Sequence, residues 1–173
     1  MAYDRGAEII RTALKLMASP YPRPGELQLS YWSEFNLEKG IWTIPAERMK
    51  MRHPHRKPLV APVVDLLRDL KEKTDGKTRV FPSLTGRDRP ISENTMNQAL
   101  RRMSFSRDEM TSHGFRASAS SLIKESGHWN PDAIEAELAH IGGNQVRRAE
   151  YWDERVRMVE WRAGELELVE LGA

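Results

Sequence analysis

Residues 41–60 read IWTIPAERMKMRHPHRKPLV, and this stretch decides the fold class. It begins with the β-branched and aromatic run 41–44 and ends on a second β-like piece at 58–60. A turn at 39–40 and a further short piece at 35–37 precede it. We therefore predict a small antiparallel sheet in this part of the chain.

Helical patterns lie on both sides of the predicted sheet. Before it, apolar residues recur at helical spacing up to a proline-rich stretch at 20–24, and Pro24 with Glu26 suits the first turn of a short second helix. After it, we predict helices that begin near residue 63, at Ser92, at 111–112, at 130–132 and after residue 144. The fold class is therefore mainly α with a small antiparallel β-sheet (α+β).

Length and composition describe one globular domain. The 173 residues are 39% hydrophobic and 30% charged, and cysteine is absent. The apolar runs are far too short to span a membrane, and no secretory leader pattern is present. We expect a cytoplasmic protein with no membrane partner. Because the formal net charge is only +2, a nucleic-acid partner has to be argued from local patches.

The most basic patch coincides with the segment between the predicted strands. Residues 47–57 carry five formal positive charges against one carboxylate, with two histidines beside them. Clustered cations of this kind are typical of a surface that meets nucleic-acid phosphates. We predict that four residues of the patch contact DNA: Arg48, Arg52, Arg56 and Lys57.

A second set of basic residues, spread along the chain, forms a candidate phosphate site. Planar guanidiniums bind two phosphate oxygens with bidentate hydrogen bonds at fixed charge, which suits Arg23 and Arg116. Lys50 can protonate a leaving 5′ oxygen, because the pKa of an ammonium falls among other cations and away from water. His113 lies three residues before Arg116, where it can accept the nucleophile's proton or hydrogen-bond the phosphate. His140 can donate another hydrogen bond to it.

In order and context these residues resemble the tyrosine recombinase family, the phage-type integrases, over nearly the whole chain. The matching segments are 23–27 (RPGEL), 42–52 (WTIPAERMKMR), 58–59 (PL), 80–83 (VFPS), 92–95 (SENT), 113–116 (HGFR) and 138–140 (LAH). The chain is most similar to the branch found in prophages and genomic islands. The resemblance implies the family's catalytic-domain fold, a tyrosine nucleophile, a 3′-phosphotyrosyl DNA intermediate with a free 5′ hydroxyl, and chemistry that needs no metal or other cofactor.

The resemblance also implies partners and domain organisation. Double-stranded DNA is the expected partner, with self-association on DNA as a tetramer and no small-molecule substrate. Residues 1–173 are expected to form a single catalytic domain, without the family's N-terminal core-binding and arm-binding domains. The implied function is site-specific DNA recombination and integration.

The nucleophile region departs from the family pattern. In the simplest alignment, residues 146–155 lack a few residues of the family pattern. The tyrosine that usually serves as the nucleophile is among the missing residues. Tyr151 lies eleven residues after His140, which leaves it within range to serve as the nucleophile. The alternative is that Tyr151 is not the nucleophile and only packs its ring against the protein, on the last helix. The sequence thus leaves two functions open: a recombinase that uses Tyr151, or a catalytically impaired prophage-integrase remnant that binds DNA without cleaving it.

Overall fold

A computed structural model describes residues 2–49, 52–74, 78–83, 89–139 and 151–166. Within these ranges the chain forms seven α-helices, two short 3-10 helices (Trp32–Glu34 and Ala46–Arg48) and one three-stranded antiparallel sheet. The helices are α1 (Ala2–Ala18), α2 (Pro24–Gln28), α3 (Ala61–Lys73), α4 (Glu93–Arg102), α5 (Gly114–Ser126), α6 (Pro131–Glu137) and α7 (Trp152–Glu165). The strands are β1 (Phe35–Asn36), β2 (Ile41–Ile44) and β3 (His55–Pro58), in that order across the sheet. The predicted fold class is confirmed.

The third strand begins earlier than the sequence predicted. We expected it at 58–60, but β3 ends at Pro58, and Ile44 pairs with His55 at its start. His55 and Lys57 are buried, whereas Arg56 is exposed. The strand therefore turns two polar side chains inward, which a hydrophobicity pattern cannot indicate because their partners lie far away in sequence.

The ends of several helices follow from local chemistry. The Ser92 hydroxyl accepts a hydrogen bond from the Thr95 amide at 3.1 Å, and the Asn130 side chain accepts one from the Asp132 amide at 2.8 Å. Both residues are N-caps, and they lie at helix starts that the sequence predicted. Gly127 ends α5 with a φ of 67°, in the left-handed region that glycine adopts without strain.

The core forms where α1 packs against α3, α4 and α5. Two apolar residues of these helical segments lie outside it, since the exposed fractions are 60% for Met103 and 44% for Leu122. Met103 is the residue that ends α4, so its side chain leaves the apolar face of that helix. None of the described helices combines the length and the apolar character needed to cross a membrane.

Candidate functional site

Arg23 is fixed at the start of α2 by a carboxylate. Its backbone amide donates to Glu26 Oε2 at 2.8 Å, and its Nη1 donates to Glu26 Oε1 at 2.8 Å. Glu26 is buried, while 38% of the Arg23 side chain is exposed. One carboxylate therefore orients both the backbone and the guanidinium of Arg23, and part of that guanidinium stays accessible.

Arg116, on α5, is half-buried and is held by two main-chain carbonyls. Its Nη1 donates to the Tyr21 carbonyl at 3.1 Å, and its Nη2 donates to the Leu138 carbonyl. Burial is the main cause that lowers the pKa of Arg116, and the charge of Arg23 lowers it further. The structure thus brings Arg23 and Arg116 close enough for their charges to interact. Both acceptors of Arg116 are neutral, so they leave its positive charge available to an anion.

His113 precedes α5 and is exposed. Its Nε2 lies 3.3 Å from Glu93 Oε1, and 67% of its side chain is accessible. Its partner is therefore the first residue of α4. The sequence predicted a helix start at 111–112, but the N-cap of α5 is His113 itself; the Thr111 hydroxyl accepts a hydrogen bond from the Gly114 amide at 3.1 Å.

Tyr151 is the N-cap of α7 and packs partly against the core. Its carbonyl accepts a hydrogen bond from the Arg155 amide at 2.9 Å, which joins it to the first turn of the helix. Lys50 and His140, the remaining predicted site residues, lie outside the described residues. Of the six predicted site residues, the structure therefore describes four, and it brings Arg23 and Arg116 together.

Two members of the predicted DNA-binding set are used inside the protein instead. Arg48 donates to the Glu26 carbonyl at 3.0 Å and forms an ion pair with Glu34. Lys57 has no exposed surface, and its ammonium lies 2.6 Å from Glu137 Oε1. A buried ammonium cannot reach a DNA phosphate, so the prediction for Lys57 is wrong. Arg48 is also poorly placed to contact DNA, because its guanidinium is engaged by a carboxylate and a carbonyl and only 15% of its side chain is exposed.

The other two members are exposed. Arg52 has an exposed side chain and a φ of 49°, which points to a constrained bend in the segment between β2 and β3. Arg56 lies on the solvent side of β3, with its guanidinium carbon 4.5 Å from the centre of the Trp152 ring. Arg56 therefore places a cation against the first residue of α7, next to Tyr151.

Sequence reasoning missed a buried ion cluster beside the site. The Glu137 carboxylate contacts Lys57 Nζ at 2.6 Å and Arg155 Nε at 2.8 Å, and all three side chains are buried. One signal was present in the sequence: Glu137 lies directly before Leu138 and three residues after Ile134, so it shares a helix face with an apolar residue. A carboxylate at such a position needs a buried partner.

Known proteins of one kind resemble this chain. The model of the phage integrase family matches residues 2–154. The integrase of Enterobacteria phage P4 is 37% identical over 97% of this chain and 42% of its own length. The putative protein IntB of Escherichia coli K12 is 35% identical over 94% of this chain and 46% of its own length. This chain thus spans less than half the length of these curated relatives.

The fold agrees with these sequence matches. The solved structure of the integrase from mycobacterium phage Brujita superposes with a TM-score of 0.69, covering 92% of this chain and 55% of that one. Its sequence identity is 16%, so this likeness concerns the fold. Taken with the family match over most of the chain, these findings show that the protein belongs to the phage integrase family of tyrosine recombinases.

Proposed function

We propose that this chain is a single catalytic domain, residues 1–173, that carries out site-specific recombination of double-stranded DNA. It cleaves DNA strands and rejoins them to new partners in the cytoplasm. The proposal rests on family membership together with the arrangement of the two half-buried arginines.

The observation that carries the proposal is the environment of Arg116. Burial and the nearby charge of Arg23 both disfavour the charged form of Arg116, and the carboxylates of Glu26 and Glu137 offset these effects only in part, since the pKa of Arg116 is lowered. An anion between Arg23 and Arg116 would relieve both costs. A phosphodiester fits, since each guanidinium presents planar donors that match phosphate oxygens.

Cleavage in this account is an in-line displacement at phosphorus. The Tyr151 hydroxyl oxygen attacks the phosphorus atom while the bond to the 5′ oxygen breaks. His113 accepts the proton of the tyrosine, and Lys50 donates a proton to the leaving oxygen. Arg23 and Arg116 stabilise the negative charge on the non-bridging oxygens, aided by a hydrogen bond from His140.

Rejoining reverses these steps on a different strand. A free 5′ hydroxyl attacks the phosphotyrosyl phosphorus, and the bond between phosphorus and the Tyr151 oxygen breaks. The tyrosine regains a proton. Over the whole cycle one phosphodiester bond is broken and one is formed. The reaction as written needs no metal and no external energy source.

The DNA duplex is held along the exposed cations. Arg52 and Arg56 contact the backbone, and these contacts position the protein without reading bases. Strand exchange needs two cleaved duplexes side by side, so the protein self-associates on DNA, as a tetramer by analogy with the family.

The direct test is covalent trapping. A library of nicked suicide duplexes with randomised sequence around the nick is incubated with the protein, denatured, and analysed for protein–DNA adducts. We expect adducts with the wild-type chain and none with Tyr151→Phe, which lacks the attacking oxygen. Tyr31→Phe is the matched control, and it should still form adducts.

Two results would overturn the proposal. An adduct that persists in Tyr151→Phe would remove Tyr151 as the nucleophile. Binding to the library without adducts from any sequence would instead identify a DNA-binding remnant that no longer cleaves.

A further inference from the structure

Glu137, the last residue of α6, is the centre of a buried network. Its carboxylate accepts hydrogen bonds from Lys57 Nζ at 2.6 Å and from Arg155 Nε at 2.8 Å. Glu137 and Lys57 have no exposed surface, and Arg155 is 1% exposed. The two cations come from β3 and α7, so one carboxylate joins three secondary-structure elements.

The network also reaches the turn that precedes α2. Lys57 Nζ donates to the Pro20 carbonyl at 3.0 Å, and the same ammonium lies 5.0 Å from the centre of the Tyr21 ring. Tyr21 is fully buried and has a φ of 46°, which a non-glycine residue rarely adopts. The contacts with Lys57 therefore help to hold this turn in an unfavourable backbone conformation.

Main-chain carbonyls extend the network on the other side. Arg155 Nη2 donates to the Arg56 carbonyl, and His55 Nε2 lies 3.2 Å from the Glu137 carbonyl. As a result α6, α7, β3 and the turn before α2 are connected by charged side chains rather than by apolar packing alone.

Each connected segment carries part of the proposed site. The turn before α2 leads into Arg23, and its Tyr21 carbonyl holds Arg116. The Leu138 carbonyl, directly after Glu137, holds the other side of the Arg116 guanidinium. Arg155 lies one helical turn after Tyr151.

We propose that Glu137 is a positioning residue of the recombination site. Its carboxylate fixes the turn before α2, the end of α6 and the start of α7 relative to one another. As a result Arg23, Arg116 and Tyr151 can contact the same phosphate. This inference rests on the proposed function. Glu137 itself does not touch the DNA, since it is fully buried.

Stability alone is a poor reason for such a cluster. Burying ions removes them from water, and replacing a buried ion pair with apolar residues of similar volume is often neutral or stabilising. Burial lowers the pKa of Lys57, and the charge of Glu137 opposes that shift. A network of charged hydrogen bonds has fixed donor and acceptor directions, and this is what precise placement of separate segments requires.

The experiment compares Glu137→Gln with two other variants. Glu137→Gln keeps the shape but leaves two buried cations without a carboxylate. The double variant Lys57→Met with Glu137→Gln restores the net charge of the network but not its links between segments. Leu67→Ala is the control for lost stability, because Leu67 is a fully buried residue of α3 outside the network.

Four quantities are measured for each variant: the single-turnover rate of adduct formation, the Kd for DNA, the midpoint of urea unfolding, and amide hydrogen exchange. We expect Glu137→Gln to form adducts about 10²-fold more slowly, the loss expected for a misplacement of about 1 Å. Its Kd for DNA should stay near that of the wild type. The double variant should regain part of the lost unfolding stability, because only Arg155 is then left without a carboxylate, and it should not regain the cleavage rate.

Amide exchange tests the links independently of catalysis. In Glu137→Gln we expect the Leu138 and Arg155 amides to gain more in exchange rate than the α3 amides do, whereas Leu67→Ala should show the opposite order. If the wild-type chain forms no adduct, the proposed recombinase function fails, and exchange alone decides whether Glu137 holds these segments together.

Two outcomes would overturn the inference. If the double variant recovers the cleavage rate along with its stability, or if Leu67→Ala loses as much cleavage as Glu137→Gln, then Glu137 acts only through stability. Unchanged exchange at Leu138 and Arg155 would show that the carboxylate does not fix these segments.

Discussion

Lys57 and Arg56 are neighbours on β3, yet they point to opposite sides of the sheet. Lys57 is fully buried and is neutralised by Glu137, whereas Arg56 is exposed and rests against the Trp152 ring. In the sequence both belong to one basic patch. The comparison teaches that this patch mixes cations that hold the fold together with cations that remain accessible to a phosphate.

The proposed catalytic arginines lie between these two extremes. Arg23 forms an ion pair with Glu26, but 38% of its side chain is exposed. Arg116 is half-buried, and its hydrogen bonds go to neutral carbonyls. These two side chains are held rigidly without full neutralisation of their charge, which is the condition for preorganised binding of an anion.

The largest expected effect concerns Lys50, which belongs to the same basic patch as Lys57 and Arg56. On an ordinary phosphodiester, Lys50→Ala should slow cleavage by roughly 10²–10⁴-fold, the usual contribution of a general acid. A 5′-bridging phosphorothiolate should restore most of the rate, because a thiolate leaves without a proton. Single-turnover adduct formation on the two substrates measures the difference. Equal losses on both would exclude Lys50 as the acid.

The next effect concerns stability. Lys57→Ala should reduce the free energy of unfolding by about 3–5 kcal/mol, because it breaks a buried ion pair. Arg56→Ala should reduce it by no more than about 1 kcal/mol, the value of an exposed cation–π contact. Urea denaturation followed by tryptophan fluorescence compares them. Similar losses for both variants would break the distinction between buried and accessible cations.

The smallest effect is a change in salt dependence. Neutralising Arg52 and Arg56 together, as Arg52→Gln with Arg56→Gln, should reduce the slope of log Kd against log salt by roughly 0.9 for each lost phosphate contact. Arg68→Gln, an exposed arginine on α3 paired with Asp65, serves as the control and should leave the slope unchanged. A slope that the double variant does not alter would place the DNA elsewhere.

Much of the fold could be predicted from the sequence because its signals are local. Ser92, Asn130 and Gly127 mark helix ends through hydrogen bonds and backbone preferences that involve only nearby residues. The short strand Ile41–Ile44 is apparent from its β-branched and aromatic residues.

The start of β3 and the burial of Lys57 could not be predicted, because both depend on partners that are distant in sequence. The ammonium of Lys57 is buried only because Glu137, eighty residues away, supplies a carboxylate. The approach of Arg23 and Arg116 was indicated by family resemblance, yet the carbonyls that hold Arg116 come from Tyr21 and Leu138 and leave no side-chain signal. Contacts of this kind become visible only in three dimensions.

One measurement tests the central claim most directly: the rate of adduct formation on a nicked suicide duplex, compared between Arg116→Ala and the wild type. The account predicts that the rate of adduct formation falls by about 10²–10³-fold, as for loss of a transition-state donor, while the Kd for DNA changes little. Retained binding also shows that the variant is folded. Cleavage at the wild-type rate would contradict the account, because Arg116 would then not hold the scissile phosphate.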